Sequence, residues 1–229
     1  MDKLKIFVVG RDQETLEQVP NRPFLVKVDL NKLPIGEYQN NQLAETRIFL
    51  SDLVAEPAEY IGLVSANHDC KHTLALMKEG QRILPTLSNL GRTPLNPDIL
   101  YCCVFSHVNC KDWFSTYFEG IEPYLNDIEN FSGLNMNLYP SLLANTFICH
   151  WDVFQDFLQN WRPIFDYIWK KYSLELLEQT IGGYADRNRI AGYLYEAVSM
   201  MVWADVIQRR NLNLQHFNVI KKPFKRILV

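Results

Sequence analysis

In the first half of the chain, short β-branched runs alternate with polar, turn-rich stretches; in the second half, long segments carry apolar residues at helical spacing. LKIFVVG (Leu4 to Gly10) is apolar after Lys5 and stops on glycine, which predicts a parallel strand buried on both faces. PFLVKVDL (Pro23 to Leu30) alternates apolar and polar positions and predicts a second strand. EYIGLVSA (Glu59 to Ala66) and ILYCCVF (Ile99 to Phe105) predict two more, and ANTFICH (Ala144 to His150) another. NKLPIGEYQNN (Asn31 to Asn41) and LGRTPLNPD (Leu90 to Asp98) carry the Pro, Gly and Asn of loops.

NQLAETRIFLSDLV, from Asn41, has helical spacing, with Leu43, Ile48 and Leu50 near one side and Asn41, Glu45 and Arg47 as polar positions. HTLALMKEGQRI (His72 to Ile83) fits a short helix or an extended connection. KDWFSTYFEGIEPYLNDIENF (Lys111 to Phe131) predicts one helix with aromatic residues on its apolar side. WDVFQDFLQNWRPIFDYIWKKYS (Trp151 to Ser173) predicts a long amphipathic helix bent at Pro163, with Phe154, Phe157, Leu158 and Trp161 in one core-facing stripe. A Gly-Gly turn at Gly182 and Gly183 leads into a second long helix, and NLNLQHFNVIKKPF predicts a closing strand.

This order predicts an α/β fold around one mostly parallel sheet with a helix-rich C-terminal half. No internal repeat or linker divides it, so a single domain over 1–229 is expected. Ligands in such sheets bind beyond the carboxyl ends of the strands. Gly10, the segment after Ala66, and His150 are expected to occupy ends of that kind.

Composition narrows the function classes. Of 229 residues, 48% are hydrophobic and 21% charged, an ordinary globular balance, and 13% are aromatic, which favours a packed core and stacking surfaces. A net charge of -3 gives no electrostatic case for nucleic acid. The basic end KKPFKRILV (Lys221 to Val229) suits a solvated terminus or peripheral contact with an anionic membrane surface or partner. No stretch reaches the roughly 18 uninterrupted apolar residues of a membrane helix, and MDKLKIFVVGRDQ lacks a secretory pattern. A soluble, cytoplasmic protein is expected. The odd set Cys70, Cys102, Cys103, Cys110 and Cys149 suits reduced thiols. CCVFSHVNC, with His107, has zinc-ligating types at poor spacing; small buried thiols beside a strand are the stronger reading.

Three places carry candidate chemistry. Gly10 ends the first strand with a residue that lets a ligand phosphate approach closely. In YIGLVSANHDCKH (Tyr60 to His72), Asn67, His68 and Asp69 are the first residues outside a buried strand. The Asp69 carboxylate can take one place on Mg²⁺ or Mn²⁺ while phosphate oxygens take others; it can equally cap a following helix. His68 and His72 have the spacing of zinc ligands on a helix, but no third ligand is placed. In DRNRIAGYLYE (Asp186 to Glu196), Arg187 and Arg189 suit a diphosphate or an acidic sugar, or the ion pairs of a solvated face. Glu196 lies two helical turns beyond Arg189, and a carboxylate near an acceptor hydroxyl can act as general base. P-loop, G-x-S-x-G, H-E-x-x-H and G-x-G-x-x-G motifs are absent from the sequence.

Three segments resemble a group of bacterial glycosyltransferases from capsule and O-antigen gene clusters, long catalogued as a domain of unknown function. NQLAETRIFLSD followed by EYIGLVSA is similar to their segment before a Y-x-G-L strand. LLANTFICHWDVFQDFLQNWRPIFDYI looks like their asparagine-Met/Thr-Phe-Ile segment leading into an aromatic helix. DRNRIAGYLYE is similar to their Arg-x-x-Gly-Tyr/Phe-Leu-x-Glu segment. The likeness runs from Asn41 to Gln208; where many relatives continue with His-Tyr-Arg-Arg, this chain has Ser65, Ala66, Asn67 and His68.

The resemblance implies a glycosyltransferase-A-like fold: a Rossmann-type mixed sheet, with a nucleotide-sugar-binding half over 1–110 and a helix-rich acceptor half over 111–229. It implies transfer of a sugar from a nucleotide-sugar donor, a UDP-sugar foremost, to a surface polysaccharide or related glycan. Gly10 and Arg11 would then border the nucleotide, Asn41, Glu45 and Arg47 would line the donor side, and Asp69 would sit near the diphosphate or its Mn²⁺ or Mg²⁺. Asn145 would face the sugar or acceptor, and Glu196 would be the general base or an acceptor-binding carboxylate. The contrasting expectation is a non-catalytic nucleotide- or glycan-binding protein on a degenerate transferase fold, suggested by Asn67 where an acidic D-x-D motif has its first carboxylate.

Overall fold

The computed structural model describes residues 2–11, 13–17, 19, 21–33, 41–65, 94–102, 105–106, 109–142, 145–182 and 190–216. Six strands form the main sheet: β1 (Asp2–Gly10), β2 (Leu25–Asp29), β3 (Ala58–Ser65), β4 (Ile99–Cys102), β7 (Phe147–His150) and β8 (Asn213–His216), in the order β2-β1-β3-β7-β4-β8. The β1–β2, β1–β3 and β4–β8 pairs are parallel; β7 runs against both its neighbours. A separate two-stranded ladder joins β5 (Phe105–Ser106) to β6 (Ser141–Leu142). Among the described residues the expected strand from Ile99 pairs in the main sheet over Ile99–Cys102, and Phe105 belongs to the ladder.

The uninterrupted apolar run of β1 is explained by cover on both faces. Phe7 and Val9 face the large core, whereas Leu4, Ile6 and Val8 face a smaller one with Tyr60, Val64, Tyr101 and Ile148. The large core is built by two 21-residue helices, α4 (Trp151–Lys171) and α6 (Ile190–Arg210), which pack on each other. The aromatic stripe of α4 lies there as expected: Phe154, Phe157, Leu158 and Trp161 are buried. α4 runs through Pro163; Pro163 and Gln159, whose carbonyl loses its helical partner, are both exposed, so water can take the missing bond. Among the described residues, α6 is the helix long and apolar enough to cross a membrane, and 78% of its apolar window is buried in the fold.

The helix expected over Lys111 to Phe131 is two helices, α2 (Cys110–Tyr117) and α3 (Glu122–Ser132). Gly120 between them has φ of 77°, which a continuing helix does not permit, and Pro123 sits in the first turn of α3, where a missing N–H costs nothing. Gly133, at φ 68°, ends α3. Two short helices, α1 (Gln13–Glu17) and α5 (Leu174–Thr180), are the others among the described residues.

The segment Asn41–Leu50 is helical, but as a 3-10 helix. Its buried positions Leu43, Thr46 and Phe49 recur every three residues, the period of that helix, with Arg47 and Ile48 also buried and Leu50 only half-buried. Phe49 is its anchor, with edge-on contacts to Phe157 and Trp161 at 5.2 Å each.

Candidate functional site

The register of the sheet defines a carboxyl edge. Gly10 pairs with Asp29 of β2, and Val9 pairs with Ser65 of β3. Because β7 is antiparallel and Leu63 pairs with Phe147, the start of β7 reaches the same edge, with Asn145 just outside it. At a strand spacing of about 4.8 Å, Asn145 stands roughly 10 Å from Gly10 across β3. The same reversal corrects the expectation for His150: it pairs with Tyr60 at the opposite edge and caps α4 through its own ring nitrogen.

Beyond β2, Asp29 caps the turn Leu30–Lys32: its Oδ1 accepts from the Asn31 backbone N–H at 3.0 Å, and its Oδ2 lies 3.3 Å from Lys32 Nζ. The Asn31 side-chain amide donates to the Arg11 carbonyl, tying the chain after β1 to the turn after β2. Arg11 itself is exposed. The 3-10 helix Asn41–Leu50 packs on this turn. Its far end is held by Arg162 of α4, whose Nε and Nη2 donate to the Phe49 carbonyl at 3.2 and 3.0 Å. It thereby carries Arg47, only 3% exposed, into the fields of both Arg11 and Asp29. Burial, and then the Arg11 cation, push the Arg47 guanidinium down from its ordinary pKa, while Asp29 pushes it back up. Glu45 is half-buried on the same segment, and Asn41 opens it.

Glu196 reaches the site's side from α6. The C-terminal end of α6 feeds β8, whose Asn213 pairs with Ile99 at the opposite edge. Trp203 lies level with the carboxyl edge, 4.7 Å from Phe147. Glu196, two turns nearer the N-terminus of α6, therefore lies about 10 Å further out, on the carboxyl side of the sheet. It is half-buried against α2: the Cys110 thiol beside it donates to the Ala197 carbonyl at 3.2 Å, and Tyr193, one turn earlier, packs 4.9 Å from Phe118. Burial, then the charges of Glu196 and Glu129, push the Cys110 thiol well up, so it stays a neutral packing group.

The structure therefore gathers Gly10, Arg11 and Arg47 at one end of the carboxyl edge, places Asn145 further along it, and sets Glu196 apart on the helical side with other neighbours. Asp69, Arg187 and Arg189, with Asn67, His68, Cys70 and His72, lie outside the described residues. Asp29, Asn31 and Ser65 were not foreseen. The signal for Asp29 and Asn31 is the KVDLNK step, an Asp closing an alternating strand with Asn two residues on; reading the strand through to Leu30 hides the turn.

A Mn²⁺ or Mg²⁺ ion needs converging oxygen ligands. Among the described residues no group of three or more His, Cys, Asp or Glu could hold a metal ion. Among the described residues the carboxylate at the end of β2, Asp29, already faces Lys32 and Arg47, surroundings that suit an anion better than a divalent cation. Cys102, Cys110 and Cys149 are fully buried, which fits the packing role expected of small thiols.

A six-stranded mixed sheet with one reversed strand, charged groups at its carboxyl edge and a helical C-terminal half belongs to the glycosyltransferase-A-like class of fold. A solved structure similar to it is the WbbM bifunctional glycosyltransferase in its apo form, which matches 97% of this chain with a TM-score of 0.57 and 12% sequence identity. The match covers 48% of WbbM, so the chain spans about half that protein's length. At this identity the likeness is one of fold and does not single out the group that the three segments resemble. No protein-family model matches the chain, and no curated protein matches it in sequence.

Proposed function

We propose that the chain is a glycosyltransferase that moves a sugar from a nucleotide-sugar, a UDP-sugar foremost, to a surface polysaccharide or related glycan. The observation that carries this reading is the placement of Arg11, Asp29, Asn31 and, further along, Asn145 at the carboxyl edge of a glycosyltransferase-A-like sheet, with Glu196 on the same side. The donor lies along the ends of β1 and β2, and the acceptor enters between Asn145 and Glu196. Glu196 takes the proton from the acceptor hydroxyl as its oxygen bonds to the anomeric carbon and the bond from that carbon to the diphosphate oxygen breaks. The transition state is oxocarbenium-like, and negative charge gathers on the departing diphosphate. A counter-charge must meet it, either a divalent ion held through Asp69 or the guanidinium groups of Arg11, Arg187 and Arg189.

The test is the thermal midpoint with UDP, GDP, CMP, dTDP and ADP, each with and without Mn²⁺, followed by transfer assays with the stabilising nucleotide's sugars. A ligand that binds only the folded chain raises the midpoint. A rise with one diphosphate together with sugar transfer supports the reading. Nucleotide binding with neither transfer nor donor hydrolysis on any acceptor replaces it with a binding protein on a transferase fold.

A further inference from the structure

We propose that the carboxyl ends of β1 and β2 form a phosphate subsite that works without a divalent cation, with Arg11 as the ligand-facing group and Arg47 as the cation behind it. The proposal rests on the transferase reading only for the identity of the ligand, a nucleoside diphosphate; the anion site itself follows from the charges and their placement.

Arg11 is exposed, yet its backbone is pinned by the Asn31 amide on its carbonyl, and Asn31 is pinned in turn by Asp29. A guanidinium on a fixed stem loses less freedom when it grips a ligand, and its planar fork matches phosphate oxygens. Arg47 stands 97% out of solvent on the segment packed against this turn, so salt and water screen it little. Arg11 and Arg47 repel each other, and Lys32 brings a third cation to the turn. Among the described residues Asp29 is the strand-end carboxylate that faces Lys32 and Arg47, with half-buried Glu45 two residues from Arg47 along the 3-10 helix. A divalent cation added at the strand ends would add to the repulsion; phosphate oxygens relieve it. Arg47 does not touch the ligand: it is a positioning residue that raises the potential Arg11 presents.

The test uses the full chain in EDTA with inorganic pyrophosphate as probe, read by calorimetry and by the thermal midpoint. Saturable binding is expected, about tenfold weaker in Arg11→Gln and weakened by salt. Arg22→Gln, which removes an exposed cation from before β2 at the opposite edge, is expected to bind like the parent chain. Pyrophosphate binding that Arg11→Gln leaves unchanged overturns the proposal, as does binding that needs Mn²⁺. The two readings fail separately. Nucleoside diphosphates that bind only with Mn²⁺, while the matching nucleotide-sugars are still used in transfer, remove the subsite and keep the transferase. Metal-free pyrophosphate binding through Arg11, with no response to any nucleotide, keeps the subsite and removes the nucleotide-sugar donor.

Discussion

Single atoms decide several positions. A Cβ on Gly62 would stand 2.7 Å from Ile148 Cγ1 and 2.8 Å from the Phe147 carbonyl, in the centre of the sheet where neither neighbour can withdraw. Gly62→Ala is expected to cost about 1–3 kcal/mol in urea unfolding. In the large core, Trp161 Nε1 donates to Ser199 Oγ at 3.0 Å, with both residues almost wholly out of solvent. Ser199→Ala leaves that N–H without its acceptor and is expected to cost about 1–3 kcal/mol; much of this should vanish in a Trp161→Phe background, where the donor is gone. At this scale the sequence was a fair guide to types and a poor one to exposure. Arg47 was legible as a polar position on a helical segment, but its burial depends on the turn after β2 and on α4, which no local pattern carries. Asp29 was hidden for the opposite reason: its role comes from a two-residue step at a strand end that alternation alone does not mark.

Elements show where periodicity was enough. The strands from Leu4 and Glu59 and the helix from Trp151 were legible because each repeats one pattern over many residues. The Asn41–Leu50 segment was legible as helical but not as 3-10, since over ten residues periods of 3.0 and 3.6 select nearly the same apolar positions. Helix pairing is also charged. Asp156 of α4 accepts from Arg209 and Arg210 of α6, and Asp127 of α3 accepts from Tyr167, Lys171 and Tyr172 at the end of α4. Burial opposes ionisation of Asp156, but the two arginines outweigh it and hold its carboxyl below the ordinary range. Its stabilising contribution is therefore complete above the ordinary carboxylate value of about 4 and is lost as the pH falls through the lower folded value. Asp156→Asn should flatten the fall of the urea midpoint between about pH 5 and pH 2. Tyr172 has the reverse sign: burial, then Asp127, push it up to about 12. Its contribution is complete below the ordinary tyrosine value of about 10 and fades as the pH rises through the folded one, so Tyr172→Phe should flatten the alkaline limb.

At the scale of the molecule, the α/β class and the helix-rich second half were legible, and the reversal of β7 was not. Strand direction is set by how connections cross the sheet, and ANTFICH reads alike in either direction. That reversal is why His150 lies at the amino edge of the parallel strands and Asn145 beyond the carboxyl edge. The proposed catalytic arrangement gives a whole-molecule prediction. Glu196→Gln keeps size and helix propensity, so it should leave the thermal midpoint within a degree or two while lowering kcat by roughly 10²–10⁴-fold, with little change in donor affinity. A loss of donor affinity equal to the loss of turnover would move Glu196 from the acceptor to the donor.

The reversed strand also bears on how the chain is made. β3 is an early strand whose one side pairs with β1, while its other side waits for Phe147 to His150. A ribosome delivers roughly 5–20 residues per second, so β3 emerges seconds before its partner and meanwhile offers a bare, apolar edge to other nascent chains. Fragments that end after β3 but before β7 should aggregate, and a slowed stretch of translation between them should lower the yield of active protein. The central position that fixes the site's geometry is thus also the point at which biosynthesis is most exposed.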